Sequence, residues 1–261
     1  MKHSSKAQNT APVLSSRKPL QKSVQKVIIL IGPPGCGKGT QAELLAKKFY
    51  FYYLESSKVL EERFNNSRNG NGFIEIEGEK FSVIEEAKNW RDGILCNPKF
   101  VAHLMEERIE QVHAMKKSLI LVGSPRTLYE GKQVMPFLEQ KFGKENVYIL
   151  WLDLSPEQTI VRNTYRRTCE LMRHPILYIP ENLNLKRCPL DGSRLMRRDD
   201  DHDIEVIKVR LKEYEHRTFP LIDYFRERGY AIKQINADQY VENVLKDILD
   251  ALGDRFKDYE L

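Results

Sequence analysis

Val27-Ile28-Ile29-Leu30-Ile31-Gly32-Pro33-Pro34-Gly35-Cys36-Gly37-Lys38-Gly39-Thr40-Gln41-Ala42 is the stretch that decides how this chain is read. Its first five residues are a short β-branched run of the kind buried in a parallel sheet. The Ala42-Glu43-Leu44-Leu45-Ala46-Lys47 pattern that follows reads as a helix. A glycine-rich turn between strand and helix lets successive backbone N–H groups point into one concavity, and the helix N-terminus behind it adds partial positive charge. The turn therefore predicts a phosphate cradle in which Gly35, Cys36, Gly37, Lys38, Gly39 and Thr40 hold a nucleotide. Lys38 would reach the β- and γ-phosphates, and the Thr40 hydroxyl would sit on Mg2+. A plain Gly-Pro turn would explain the glycines but not the lysine at the head of a helix.

Bulk properties set limits around this motif. The chain has 261 residues, enough for one large α/β domain with insertions or two small domains, and its 41% hydrophobic content suffices for a core. No apolar run approaches the length of a membrane span, so no membrane partner is expected. The formal net charge is +5, from 42 Lys and Arg against 37 Asp and Glu. Residues 1–26 carry Lys2, Lys6, Arg17, Lys18, Lys22 and Lys26 and no acid; without those six the count is 36 against 37. The basic excess thus belongs to a tail, and no nucleic-acid partner is expected. Residues 1–25, rich in Ser, Lys, Gln and Pro, lack the apolar core of a secretory signal and read as a disordered extension. A transit peptide is the weaker reading, because the tail is Lys-rich rather than Arg-rich. The four cysteines form no evident disulfide framework, and Cys36 is more useful reduced, which points to a cytoplasmic location. A monomer is expected.

Ser118–Gly123 and Val147–Leu154 are continuous apolar runs and Tyr230–Ile235 is a weaker one; they alternate with helical patterns over Lys99–Met115, Ile204–Arg228 and Val241–Leu252. Alternation of this kind predicts a central parallel sheet covered on both faces. Two stretches interrupt it. Within residues 55–96, the alternation on either side of Gly78, from Phe73 to Ile84, predicts a β-hairpin. Residues 167–198 are rich in Pro, Asn and Arg and contain Cys169 and Cys188. Both read as excursions from a core spanning residues 26–261.

Further motifs supply cations. Gly123-Ser124-Pro125-Arg126-Thr127 follows an apolar strand, which places Arg126 in the crevice where α/β proteins bind ligands. Arg162 and Arg166 stand four apart, two like charges on one helix face unless a ligand separates them; a solvated basic face is the plainer alternative. Arg198-Asp199-Asp200-Asp201 and Arg210-Leu211-Lys212-Glu213-Tyr214 follow. Together with Gly-x-Gly-Lys-Gly-Thr-Gln-Ala at residues 35–42, these five ordered segments resemble the adenylate kinase family of nucleoside monophosphate kinases over roughly residues 26–252. The resemblance implies an α/β P-loop three-layer sandwich with acceptor-binding (55–96) and lid (167–198) insertions, and transfer of the γ-phosphoryl of ATP to a nucleoside monophosphate, AMP above others. It implies ATP and Mg2+ as cofactors. Phosphoryl transfer needs positioning and positive charge rather than covalent chemistry from the protein, so Lys38, Arg126, Arg162, Arg166, Arg198 and Arg210 are the expected catalytic set. Lys38, Arg162, Arg166 and Arg198 are assigned to the transferring phosphates, Arg126 and Arg210 to the acceptor, with Ser56, Lys58, Gly123, Glu130 and Arg198 also on the acceptor side.

The chain departs from the family pattern at four places. Val122 stands where relatives carry an Asp that helps hold the magnesium's waters, a loss worth about 10–100-fold. Glu61 replaces an acceptor-binding arginine, and Lys58, three residues back, is the expected substitute. Glu130 replaces a base-reading glutamine, and a carboxylate accepts hydrogen bonds without donating them. The zinc quartet of some relatives is reduced to Cys169-x-x-Met172 and Cys188-x-x-Asp191; a thioether ligates zinc poorly, so a zinc-free lid is expected, with His174 the one substitute ligand. A catalytically weakened nucleotide-sensing module of the same fold is the rival reading, supported by Val122 and Glu61 and opposed by the full set of arginines. A basic RNA-binding ATPase fits least, since the positive excess lies in the tail.

Overall fold

The computed structural model of the protein describes residues 24–66, 72–92, 94–173, 175–197 and 204–259. Nearly all of the tail, and the predicted site residue Arg198 with its three following aspartates, lie outside the described residues, as does His174.

Five parallel strands form the central sheet: β1 (Val27–Ile31), β2 (Tyr52–Glu55), β5 (Leu119–Val122), β6 (Val147–Asp153) and β10 (Ile232–Asn236), in the order β10-β6-β1-β5-β2. Strand β1 lies between β6 and β5, with Leu30 level with both Leu150 and Val122. A strand flanked on both sides and covered on both faces must be apolar throughout, and every residue of β1 is buried. Its side chains alternate between two cores. Val27, Ile29 and Ile31 join one with α4 (Pro98–Ala114), α5 (Leu128–Phe142) and α8 (Leu221–Glu227). Ile28 and Leu30 join the other with α1 (Lys38–Phe49) and α9 (Val241–Leu252). The result is the predicted three-layer sandwich.

Of the sequence-expected strands, β1, β5 and β6 lie within one residue of their expected bounds and β10 starts two residues late; β2 carried no clear signal, since Tyr-Tyr-Leu-Glu is short and its edge position leaves it half-buried. The expected single helix over Ile204–Arg228 is broken. Helix α7 (Ile204–Glu213) runs into a wide turn at Tyr214–Thr218, where the Phe219 amide bonds to the Tyr214 carbonyl five residues back, and α8 begins after Pro220. Pro220 has no N–H to continue the helical ladder and its ring crowds the preceding turn.

Both excursions form sheets of their own. Strands β3 (Phe73–Ile76) and β4 (Glu79–Ser82) pair antiparallel about Gly78, and α3 (Val83–Arg91) takes over at Val83, with Ser82 capping it. Two side chains tie the hairpin inward: Ile76 and Phe81 are buried in the α4 core, Phe81 with its ring centroid 6.3 Å from that of Phe100. After α6 (Pro156–Tyr165), strands β7 (Arg167–Cys169), β8 (Pro175–Ile176) and β9 (Leu195–Arg197) form a second small sheet, β8-β7-β9. Because Phe81 fills space against a fully buried ring, Phe81→Ala is expected to lower stability by about 3 kcal/mol, read as a shift of the urea midpoint at unchanged slope.

Candidate active site

The turn after β1 delivers Lys38 to the carboxyl edge of the sheet. Gly37, at φ 93°, precedes the first residue of α1, a left-handed backbone that favours glycine. Gly35 is held close to α6: a Cβ there would come within 2.5 Å of the Asn163 amide nitrogen. The Lys38 ammonium is folded onto this turn, donating to the carbonyls of Gly32 (2.7 Å) and Pro33 (2.8 Å) and lying 3.6 Å from the Cys36 sulfur. Burial lowers its pKa; the Cys36 sulfur opposes that, and the charges of Arg126 and Arg210 lower it further. Three of the predicted cations therefore act on one another at one place, as polyanion binding requires.

The segment after β5 is braced from within. Gly123 takes φ 79°, and a Cβ added there would stand 2.5 Å from Ser56 Oγ and 3.1 Å from a terminal nitrogen of Arg126. Ser56 donates to the Gly123 carbonyl at 2.7 Å, so Ser56, Gly123 and Arg126 do meet. Glu130 behaves differently from the sequence expectation. It is 3% exposed, accepting from Ser124 Oγ and the Arg126 amide on one oxygen, both at 3.0 Å, and from Thr127 Oγ1 on the other. Thr127 in turn caps α5, accepting from the Glu130 amide. Thr127 and Glu130 hold the N-cap and N3 places of a capping-box pattern legible in the sequence, but the carboxylate accepts from the Arg126 amide in place of the Thr127 amide, and it is spent inside the turn rather than offered to a base. Burial raises the Glu130 pKa, while the Arg126 amide and guanidinium hold it down. On the far side, Thr218 of the wide turn donates to the Arg126 carbonyl at 2.8 Å.

Helix α2 (Ser56–Asn66) corrects the expectation for Lys58. Its inward stripe is Ser56, Val59, Leu60 and half-buried Arg63, at i, i+3, i+4 and i+7, whereas Lys58 and Glu61 are exposed. Lys58 lies 4.7 Å over the Tyr53 ring and 3.7 Å from the Glu55 carboxylate. Arg63, and not Lys58, is the cation on Ser56's face. Arg162 and Arg166 do not share the helix face expected of them. Arg162 is within α6, 3.6 Å from Asp238, but Arg166 ends the helix in extended backbone and leads into β7. The neighbouring Arg167, unmarked by the sequence reading, donates to the carbonyls of Leu185 (2.7 Å) and Asn182 (2.5 Å) and so ties the small sheet together. Asn163 and Thr159 of α6 are fully buried, and Asn163 lies against the phosphate turn.

Hard oxygen donors suited to Mg2+ stand beside the turn: Thr40 in the first turn of α1 and Glu55 at the end of β2, while buried Val122 offers none. In the small sheet, ligand atoms of Cys169, Cys188 and Asp191 lie within 4.8 Å of one another, and Met172 is exposed. Two thiols and a carboxylate fit three positions of a tetrahedral zinc site; here Cys169 donates to Asp191 at 3.0 Å. Among the described residues, no helix is long and apolar enough to cross a membrane.

Fold and site together define a P-loop nucleotide site at the switch point of a parallel α/β sheet, rich in arginine. A family profile described as Adenylate kinase matches residues 30–230. An adenylate kinase of Caldicellulosiruptor bescii is 30% identical over 230 residues, covering 87% of this chain and 98% of its own length. One from Caldanaerobacter subterraneus subsp. tengcongensis is 31% identical over 235 residues (88% and 98%), and one from Archaeoglobus fulgidus 30% over 234 (88% and 99%). The chain belongs to the adenylate kinase family. It is a nucleoside monophosphate kinase, an enzyme of nucleotide phosphoryl transfer.

Since Glu130 braces the turn, Glu130→Ala is expected to lower stability by about 1–3 kcal/mol and to raise KM for all monophosphates alike. Thermal unfolding and a panel of AMP, GMP, CMP and UMP check this; a changed ranking among the bases would restore the base-reading role.

Proposed function

We propose that the enzyme transfers the γ-phosphoryl of ATP to AMP, forming two ADP. The observation that carries the reading is Lys38 folded onto the glycine-rich turn after β1, on the Gly32 and Pro33 carbonyls, with Arg126 and Arg210 near enough for their charges to act on it. The acceptor identity rests on the family, since the three relatives compared above are adenylate kinases. In this reading Gly35 to Thr40 cradle the ATP phosphates, and Lys38, Arg162, Arg166 and Arg198 serve the transferring group. Arg126, Arg210 and the Ser56–Gly123 contact position the acceptor, with Arg63 taking the role first expected of Lys58. Residues 55–96 and 167–198 would close over the two nucleotides, excluding water from the reacting phosphates. Thr40 and Glu55 would hold magnesium, which when bound offsets phosphate charge. The four cysteines, all free and buried, fit a cytoplasmic location.

A weakened nucleotide-sensing module is favoured by one observation, the apolar Val122 at the strand end. A coupled ADP-formation assay with AMP, GMP, CMP and UMP separates the two: turnover with AMP supports the kinase, and tight ATP binding without turnover supports the sensor. Removing one preorganised donor to a transferring group costs about 100–1,000-fold, so Lys38→Met is expected to lower kcat by at least that while circular dichroism stays unchanged. Near-normal turnover in a folded Lys38→Met protein would overturn the assignment. A charge-assisted bond of about 1.5–3 kcal/mol predicts that Arg63→Ala raises the AMP KM roughly 10–100-fold. Lys58→Ala is expected to move it far less, with KM for ATP nearly constant in both.

A further inference from the structure

Glu55 ends β2 level with Val122 of the neighbouring strand β5, which is in turn level with Leu30 of β1. In a parallel sheet, residues at the same level on adjacent strands point to the same face, and along one strand the face repeats every second residue. Val122 and Leu30 belong to the core beneath α1, and Tyr53, two residues before Glu55, packs on that core too. Glu55 therefore faces α1 and the phosphate turn. A contact confirms the direction: a Cβ on Gly39 would stand 3.5 Å from the Tyr53 hydroxyl, and that hydroxyl donates to Glu55 Oε2 at 2.7 Å. Thr40 is the next residue of α1.

The carboxylate is held from several sides. Ser57 Oγ donates to Oε1 at 2.8 Å, and the Lys58 ammonium is 3.7 Å from Oε2. Its side chain keeps 29% exposure, so it remains open to water. Other acids near this edge are placed differently. Asp153 ends β6 on the face of Trp151, opposite the α1 core, and accepts from Gln234 at 2.8 Å. Glu43 is exposed, a turn further along α1. Among the described residues, Glu55 is thus the strand-end carboxylate on the phosphate side of the sheet.

We infer that Glu55 is a positioning residue for the divalent cation: it orders the water shell of nucleotide-bound Mg2+, from β2, in place of the acid that Val122 cannot supply. This rests on the kinase reading above. Tyr53 and Ser57 fix the carboxylate's rotamer, and the Lys58 ammonium balances its charge while no cation is bound. A carboxylate one strand over, at the same level, reaches the same crevice because adjacent strands are only about 4.8 Å apart.

The test is the magnesium dependence of nucleotide affinity. Calorimetric titration of a non-hydrolysable ATP analogue, with Mg2+ and with EDTA, gives the ratio of the two Kd values for wild type, Glu55→Gln and Tyr53→Phe. Glu55→Gln is isosteric and half-exposed, so the fold is expected to survive, checked by its melting temperature. The expected result is a ratio reduced roughly 10–100-fold in Glu55→Gln, with the metal-free Kd unchanged and a smaller shift of the same sign in Tyr53→Phe. Mn2+ bound to the enzyme–nucleotide complex, followed by electron paramagnetic resonance, should weaken in parallel. An unchanged ratio in Glu55→Gln overturns the inference, as does equal weakening with and without metal, which would make Glu55 a brace for the turn. If wild type itself shows no magnesium dependence, the kinase reading fails rather than the role of Glu55 within it.

Discussion

Lys38 is folded onto the phosphate turn with the charges of Arg126 and Arg210 near enough to disfavour its own, and the fold sets this arrangement before any nucleotide arrives. That concentration of like charge is the constraint on which the rest of the structure depends. Assembling it is unfavourable by itself, since each cation lowers the tendency of its neighbours to stay protonated. The cost is met elsewhere: two apolar cores, one on each face of β1, fix α1, which starts at Lys38, and β5, which leads to Arg126, while Arg210 comes from α7. A polyanionic ligand then finds positive charge already in place and needs no reorganisation at the moment of transfer.

Short polar contacts convert that general frame into a specific geometry. Lys38 is parked on the Gly32 and Pro33 carbonyls, acceptors that phosphate oxygens would have to replace. Arg126 is fixed through its backbone, with Glu130 taking its amide and Thr218 its carbonyl. The Thr218 contact exists because Pro220 ends the preceding helical run and forces a wide turn at Tyr214–Thr218. A break in a helix, which looks like a defect in the pattern, thereby braces the backbone of Arg126.

The departures from the family pattern have local physical readings. Where the resemblance leads one to expect a glutamine, Glu130 puts a carboxylate that accepts from Ser124, Arg126 and Thr127, a role that needs lone pairs and no donor. Val122 gave up an oxygen at the end of β5, while Glu55 stands at the same level on β2 and faces the same way. Glu61 is exposed, and half-buried Arg63 occupies the inward stripe.

The sequence by itself determined the phosphate turn, the parallel sheet and the order of the cationic motifs, because each depends on contiguous residues. A β-branched run, glycines with a following lysine, and helical periodicity are all local signals; α9 falls on its expected bounds, Val241–Leu252, for this reason. What only the tertiary structure decided was the direction of each side chain relative to another element. Lys58 and Arg63 differ by five positions on one helix, and which of them faces Ser56 depends on how α2 packs. Arg166 leaves its helix because the chain turns there into β7. Strand β2 is too short and too polar to announce itself, yet its register against β5 is what sets Glu55 beside Val122. Pairing between strands 67 residues apart in sequence leaves no trace in either segment alone, since the partners meet only when the sheet has formed.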